Sequence, residues 1–338
     1  MFPGIIGQEK AVRILGRALR RRRLAHAYLF HGPVGVGKEQ AAMEVARGLL
    51  CRQPRQHQGC GECGSCRKFS AGSHPDFLDI TPQGVAIRID QIRAMKKALS
   101  FPPLESATRV VVIHEVHTMR REAANSLLKI LEEPPPGNIL LLIATVSEPL
   151  LDTIVSRCQV VPFYPLPLKA AAEVIRRDAP ELTLREAETL AALLEGSPGR
   201  ALDYHKRGLP AQRHHIITAI LTSDAGEPGG VEELLKIAAK AADRAEDLTA
   251  LLDLLRLFFR DVLVAATATG QPAFVNRDME GEIERARQRW NLQELFAKLQ
   301  AVDQAEKALA RNCNRALVCE VLFFQLATEC AGARSPMI

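Results

Sequence analysis

The 338-residue sequence predicts an α/β fold: a parallel sheet built around a phosphate-binding loop, followed by two regions that carry helices only. Three observations point there. The glycine-rich stretch HGPVGVGKE, residues 31–39, joins an apolar run at 27–30 to an Ala-rich helical stretch at 40–50. Apolar runs then alternate with helical periods as far as Pro165. After Pro165-Leu166-Pro167 no strand pattern returns.

Composition sets the outer limits. A hydrophobic share of 47% and a charged share of 25% are globular values, and no uninterrupted apolar run reaches the ~20 residues of a membrane span. No signal-peptide pattern opens the chain. A formal charge of +5 permits nucleic-acid contact without arguing for it. The one dense basic run, Arg20 to Arg23, reads as a solvated helix end or as a DNA grip. Eight cysteines without an export signal predict a reducing, cytoplasmic setting, where clustered cysteines imply metal or redox work.

In chain order, Val12, Leu15 and Leu19 recur at helical spacing and predict an opening helix. Residues 51–66 are polar and Gly-rich, with neither a helix nor a strand period, and read as an insertion. A short strand is expected at 77–80, then a helix over 90–99 with Ile92, Met95 and Leu99 on one face. A buried strand at 110–113, a helix over 120–131 closing on LEEPPP, and a buried strand at 139–144 follow. A short helix ending near Arg157 and a last strand at 159–162 complete the alternation. These divisions predict a nucleotide-loop domain at 1–166, a small helical lid domain at 167–209, and an all-α domain at 210–338 broken near 226–230 and 270–272. Helices are expected at 169–177, 184–194 and 199–206. Two broad apolar faces, Leu251, Leu254, Leu255, Phe258 and Phe259, then Leu317, Val321, Leu322, Phe324 and Leu326, are either core or a subunit interface.

The chemistry concentrates in three places. Gly32, Gly35 and Gly37 free backbone N–H groups for an anion, and Lys38 adds a point charge beside the outer phosphates. The next position, where a Ser or Thr hydroxyl would ligate Mg²⁺, is Glu39. A nucleotide motor also needs a buried strand ending in two acids, one for the metal and one to activate water. Here the strand at 110–113 ends in His114-Glu115, so an imidazole replaces the metal-side acid and Glu115 remains; a satisfied surface histidine is the plainer alternative. Finally, Cys51, Cys60, Cys63 and Cys66 place sulfurs so that they can converge on one tetrahedral Zn²⁺, with a redox pair or unligated thiols as alternatives. Cys158, Cys313, Cys319 and Cys330 lie in apolar surroundings and are expected to be small buried hydrophobes.

LLKILEEPPPGNILLLIAT at 127–145 and Ser156-Arg157-Cys158 resemble the AAA+ subunits of bacterial sliding-clamp loaders. HAYLFHGPVGVGK, the four-cysteine insertion, HPDF at 74–77 and IDQIR at 89–93 narrow the resemblance to the DNA polymerase III delta-prime and gamma/tau pair. It covers most of the first 210 residues. It implies an AAA+ P-loop fold and a ring that places the sliding clamp on primer-template DNA, with gamma/tau and delta subunits as partners. It also implies nucleoid association, an accessory role in the polymerase holoenzyme, and a helical collar that joins the ring. By the same resemblance Arg157 reaches into a neighbour's ATP site, Arg200 in GSPGR senses nucleotide, and Thr145 is the sensor that ends the fourth strand. Altered Glu39 and His114, retained Arg157 and the absence of a long C-terminal extension favour the non-motor, delta-prime side, with a structural Zn²⁺ and doubtful ATP binding. A working gamma/tau-type ATPase is the alternative; a zinc-dependent DNA-binding protein acting alone is a third reading. For Arg157 the plain alternative is a surface ion pair with Asp152.

Overall fold

The structure, a computed structural model, describes residues 4–21, 23–145, 150–223, 228–268, 270 and 273–328. It divides into two units, Met1–Val174 with Gly196–Gly199, and Ile175–Glu195 with Arg200–Ile338.

The first unit runs α1 (Glu9–Arg20), β1 (Ala27–His31), α2 (Lys38–Leu50), α3 (Gly64–Ser70), β2 (Phe77–Ile80), α4 (Ile89–Leu99), β3 (Arg109–Ile113), α5 (Arg121–Glu132), β4 (Asn138–Ala144), α6 (Asp152–Val155) and β5 (Gln159–Pro162). The five strands form the single parallel sheet expected, in the order β2-β3-β4-β1-β5. β3 and β4 are buried from end to end, which is why they read as unbroken Val, Leu and Ile runs. Ile92, Met95 and Leu99 of α4 and Leu127, Ile130 and Leu131 of α5 cover Val111, Ile113, Leu140 and Leu142. Because β1 lies between β4 and β5, the chain must pass over two strands to reach β2. The loop after β1 therefore opens at the carboxyl edge of the sheet, beside the ends of β3 and β4, where ligands bind in such folds.

The insertion corrects one expectation. It contains α3, whose N-cap is Cys63, with its sulfur accepting the Cys66 N–H. A thiol in the capping role escapes a reading that looks for Ser, Thr, Asp or Asn.

A helix α7 (Leu168–Asp178) crosses the division between the units. Beyond it lie α8 (Leu184–Leu193), α9 (Pro198–Lys206), α10 (Leu209–Thr222), α11 (Pro228–Asp243), α12 (Ala245–Thr267), α13 (Glu280–Arg289), α14 (Leu292–Ala310) and α15 (Arg315–Ala327). α12 is packed by α10, α11, α13 and α14. Its Leu251, Leu254, Leu255, Phe258 and Phe259 are all buried, so this broad apolar face is core, as expected of a helix covered all round. α15 is different: Leu322 and Leu326 are buried, whereas Leu317 and Val321 are exposed. Sequence reasoning did not name the charges inside this unit. Fully buried Arg213 donates to Asn276 Oδ1 at 2.7 Å and pairs with Asp278, while Asp261 Oδ2 accepts from the Val275 and Asn276 N–H groups. Each buried charge is thus met by a partner.

Of the scattered cysteines, Cys319 is buried and Cys158 half-buried, and burial pushes their thiols up to about 11 and about 12. Cys313 is exposed, against expectation, and Cys330 lies outside the described residues. No helix among the described residues is long and apolar enough to cross a membrane.

Candidate functional site

The loop at 31–39 keeps the shape its glycines predict. Gly37 adopts φ +95° as the N-cap of α2, a conformation open to glycine. Gly32 is needed for another reason, since a Cβ there would meet the Phe163 carbonyl oxygen at 2.4 Å. The loop's carbonyls are held from outside: Val36 O accepts from Gln8 Nε2 at 3.2 Å, Val34 O from Ser197 Oγ at 2.5 Å, and Gly35 O from the Gly199 N–H at 2.8 Å. Lys38 is buried and turns back on its own loop, donating to Gly32 O at 2.7 Å and to Pro33 O. Burial lowers its ammonium to about 8, with Glu39 opposing the shift.

His114 stands one residue past β3, at the metal-side position. Its Nε2 lies 2.8 Å from Asp79 Oδ1 on β2, and its Nδ1 3.9 Å from Glu39 Oε1 at the start of α2. The bond to Asp79, then that to Glu39, raises the imidazole to about 9 against the cost of burial, so it is a cation at neutral pH. His114 in turn holds the Glu39 carboxyl below its usual range. The sequence predicts Glu39 as an anion facing phosphates; the fold instead supplies it with a cation. Glu115 is exposed and sits at φ +44°, its carbonyl accepting from Thr118 N and Oγ1, both at 2.8 Å. That left-handed backbone at a non-glycine is the kind of strain found at functional turns. Thr145 directly follows β4 on the same sheet edge.

Arg157 lies just beyond α6. Its Nη1 donates to Thr153 O at 3.0 Å and Ser156 Oγ at 3.4 Å, and its Nη2 is 2.7 Å from Glu132 Oε1. The ion pair the sequence anticipates with Asp152 is made with Glu132 instead. Arg200 belongs to the second unit, where its guanidinium reaches Tyr204 Oη at 3.2 Å and stacks 5.6 Å from that ring.

The four cysteines converge. Their sulfurs all lie within 4.8 Å of one another, with Cys51 to Cys63 at 3.8 Å and Cys60 to Cys66 at 4.0 Å. A tetrahedron of sulfurs around a zinc ion has edges of about 3.8 Å, so these residues fit and could hold a metal ion. Backbone N–H groups of Gln53 and Cys60 point at Cys51 Sγ, that of Cys63 at Cys60 Sγ and that of Cys66 at Cys63 Sγ, at 3.3–3.4 Å. The Glu62 N–H and then that of Cys63 pull the Cys60 thiol down, the Cys66 N–H pulls Cys63 down, and burial pushes Cys66 up.

HPDF, read from the sequence as a family signature alone, has a physical task. The Asp76 N–H donates to His74 Nδ1 at 3.1 Å, which makes Nε2 the protonated nitrogen, 2.8 Å from Ser65 Oγ; Ser65 donates onward to Leu50 O at 2.5 Å. The Asp76 carboxylate accepts the N–H groups of Leu104, Glu105 and Ser106 at 2.6–2.8 Å, and Glu105 pairs with Arg52 and Lys68. The cysteine insertion is thereby bolted to the start of β2. Asp79, Glu132 and this relay are the residues that sequence reasoning missed. Asp79 had one signal, its place in the strand that pairs with β3 ahead of His114.

A family model described as DNA polymerase III, delta subunit, matches residues 7–167, and one described as the C-terminal part of that subunit matches 208–328. The chain is 34% identical over 318 residues to the DNA polymerase III subunit delta' of Pseudomonas aeruginosa, covering 91% of this chain and 93% of that one. It is 39% identical over 163 residues to the Bacillus subtilis subunit delta', spanning 48% of this chain and 49% of the relative. The Bacillus subtilis subunit tau is 28% identical over 318 residues, which are 89% of this chain and 55% of tau. Among solved structures, a gamma subunit-related protein of DNA polymerase III from Thermotoga maritima covers 94% of this chain and 98% of its own, at 18% identity and a TM-score of 0.42. That likeness is loose, and the sequence matches carry the assignment. The chain belongs to the DNA polymerase III delta-prime family of clamp-loader subunits.

Proposed function

We propose that this accessory subunit of DNA polymerase III does not hydrolyse ATP itself, and that it helps load the sliding clamp onto primer-template DNA by completing a neighbouring subunit's ATP site with Arg157. The observation that carries the non-motor half is the placement of His114. Where a motor sets a carboxylate to hold Mg²⁺, this chain sets an imidazolium already paired with Asp79 and Glu39. A fixed positive charge there repels a divalent cation, and without the metal the charge of the transferring phosphoryl group is not offset. Glu39 also lacks the hydroxyl that would complete the metal's shell. Within the first unit, Gly32, Gly35, Gly37 and Lys38, with Glu115 and Thr145 at the same sheet edge, are the residues left for passive nucleotide contact.

The arginine half rests on chemistry and position. A forked, permanently charged guanidinium suits the charge spread over a transferring phosphoryl group. Arg157 follows a short helix and pairs with Glu132, on α5. The experiment assembles the complete clamp loader with gamma/tau and delta subunits and compares wild type with Arg157→Ala. Hydrolysis at the site that Arg157 completes should fall by roughly 10³-fold or more, with clamp loading reduced and assembly unchanged. Normal loading by the mutant complex rejects the role. Steady ATP turnover by the isolated chain, lost in Lys38→Ala, rejects the non-motor reading and favours a gamma/tau-type motor.

The residues fit a structural Zn²⁺ held by Cys51, Cys60, Cys63 and Cys66; bound there, the ion would neutralise the thiolates and cross-link the insertion. For the ring contact, the support is exposed apolar residues at helical spacing, Leu317 and Val321 on α15 and Leu292 and Phe296 on α14. Leu317→Asp with Val321→Asp should leave the chain folded yet weaken its co-purification with gamma/tau subunits. Full-strength recovery would place the collar contact elsewhere. The lid and collar at 167–209 and 210–338 are proposed as separate functional parts. Much of the lid clusters with the second unit, so a cut at 209 would divide that unit.

A further inference from the structure

Glu132 is an odd residue to find where it is. It is the last residue of α5 and is followed by Glu133, so two carboxylates crowd the negative end of a helix dipole, an arrangement that lowers stability unless a cation answers it. The chain also fixes the position. The Glu133 N–H returns to Lys129 O at 3.2 Å, and Asn138 Nδ2 on β4 donates to Pro135 O and Pro136 O at 3.0 and 3.1 Å, pinning the segment that leaves the helix. The cation that answers Glu132 is Arg157, whose Nη2 lies 2.7 Å from Oε1.

The rest of the Arg157 guanidinium is held with economy. Nη1 is engaged by Thr153 O and Ser156 Oγ, and Nε has no partner among the described residues. About a third of the side chain, 35%, is exposed. A long side chain just beyond a four-residue helix would otherwise sample many rotamers and lose that freedom on meeting a phosphate. Three anchors, two neutral and one charged, remove most of that freedom beforehand while leaving an edge of the fork open.

We propose that Glu132 is a positioning residue: it holds Arg157 extended from the end of α6 so that the guanidinium enters a neighbour's ATP site already oriented. This rests on the reading of Arg157 as an arginine acting in trans. Glu132 touches no nucleotide; it acts through Arg157, so its loss alters the chemical step and leaves ATP affinity alone.

The test uses the assembled clamp loader with Glu132→Ala, Glu132→Gln, Arg157→Ala and the double variant Glu132→Ala/Arg157→Ala, after thermal unfolding has confirmed that each folds. Glu132→Ala should lower the kcat of DNA- and clamp-stimulated hydrolysis roughly two- to fivefold, the scale of a half-exposed ion pair, with KM for ATP unchanged. Glu132→Gln, which keeps an oxygen in place, should recover most of the loss. The double variant should be no slower than Arg157→Ala. In the isolated chain, the Arg157 Nε–H resonance should show increased mobility in Glu132→Ala. An unchanged or raised kcat in Glu132→Ala, or a double variant slower than Arg157→Ala, overturns the inference. If Arg157→Ala itself hydrolyses normally, the reading in trans fails and the inference falls with it; the mobility measurement then still reports whether Glu132 orders Arg157, which separates the two failures.

Discussion

Two places in the first unit gather acidic or thiol groups around a point of positive charge, and they obtain that charge differently. At the end of β3 the charge belongs to the chain: His114 spends one ring nitrogen on Asp79 and faces Glu39 with the other. In the insertion the chain brings four sulfurs within 4.8 Å of one another, and backbone N–H groups point at three of them. The first arrangement sets a cation of the chain's own between its two carboxylates. The second has the donor set that could hold one. A spacing motif therefore reports that ligands converge, and the identity of the side chains decides whether the centre is filled from within.

The contrast breaks most readily at the cysteines. Purified protein should carry one zinc per chain. Cys60→Ser with Cys63→Ser should abolish it, removing on the order of 10 kcal/mol of metal-binding free energy from the insertion. Amide exchange should rise across residues 51–70 while β1, β3 and β4 keep their protection. Zinc retained by the double variant, or protection lost across the sheet, would erase the distinction between a module that needs a cation and a core that does not.

A smaller effect sharpens the other side. The folded-state pKa of His114 is raised to about 9, so its contribution is fully present below the unfolded value near 6.5 and is lost as pH rises through about 9. The Glu39 partner is shifted down and contributes only above its own unfolded range. His114→Gln should therefore cost on the order of 1–2 kcal/mol between about pH 5 and 6.5, allowing for the exposure of Asp79 and Glu39. The cost should vanish near pH 10. Glu39→Gln, removing the more distant and more exposed partner, should cost less than half as much. Urea midpoints across pH decide both; a cost for His114→Gln that does not change with pH would mean the imidazole is packing, not charge.

The sheet, the loop, the cysteine cluster and the altered pair Glu39 and His114 were legible because each is a periodicity, a fixed spacing or a residue type at a known offset from a strand. What escaped were partners fixed by tertiary placement. Asp79 meets His114 because β2 and β3 are neighbours, and Glu132 meets Arg157 because α5 ends beside α6; neither pairing has a linear signature. The apolar faces of α12 and α15 look alike in sequence, yet one is enclosed by four helices and the other is open at Leu317 and Val321. Composition reports greasiness, whereas burial depends on how many elements surround a helix.

The glycines of the nucleotide loop carry a further consequence, one that concerns inheritance. Gly32 abuts the Phe163 carbonyl, and a Cβ on Gly199 would lie 2.8 Å from the Gly35 Cα, so these positions are held by packing whatever the loop binds. A lineage that gave up phosphate chemistry would find positions 39 and 114 free to drift, while Gly32 stayed locked by Phe163 and Gly37 by its positive φ. The outline of a nucleotide site can thus persist as a fossil of the fold, and the bearing of such an outline on activity is read at the residues that were free to change.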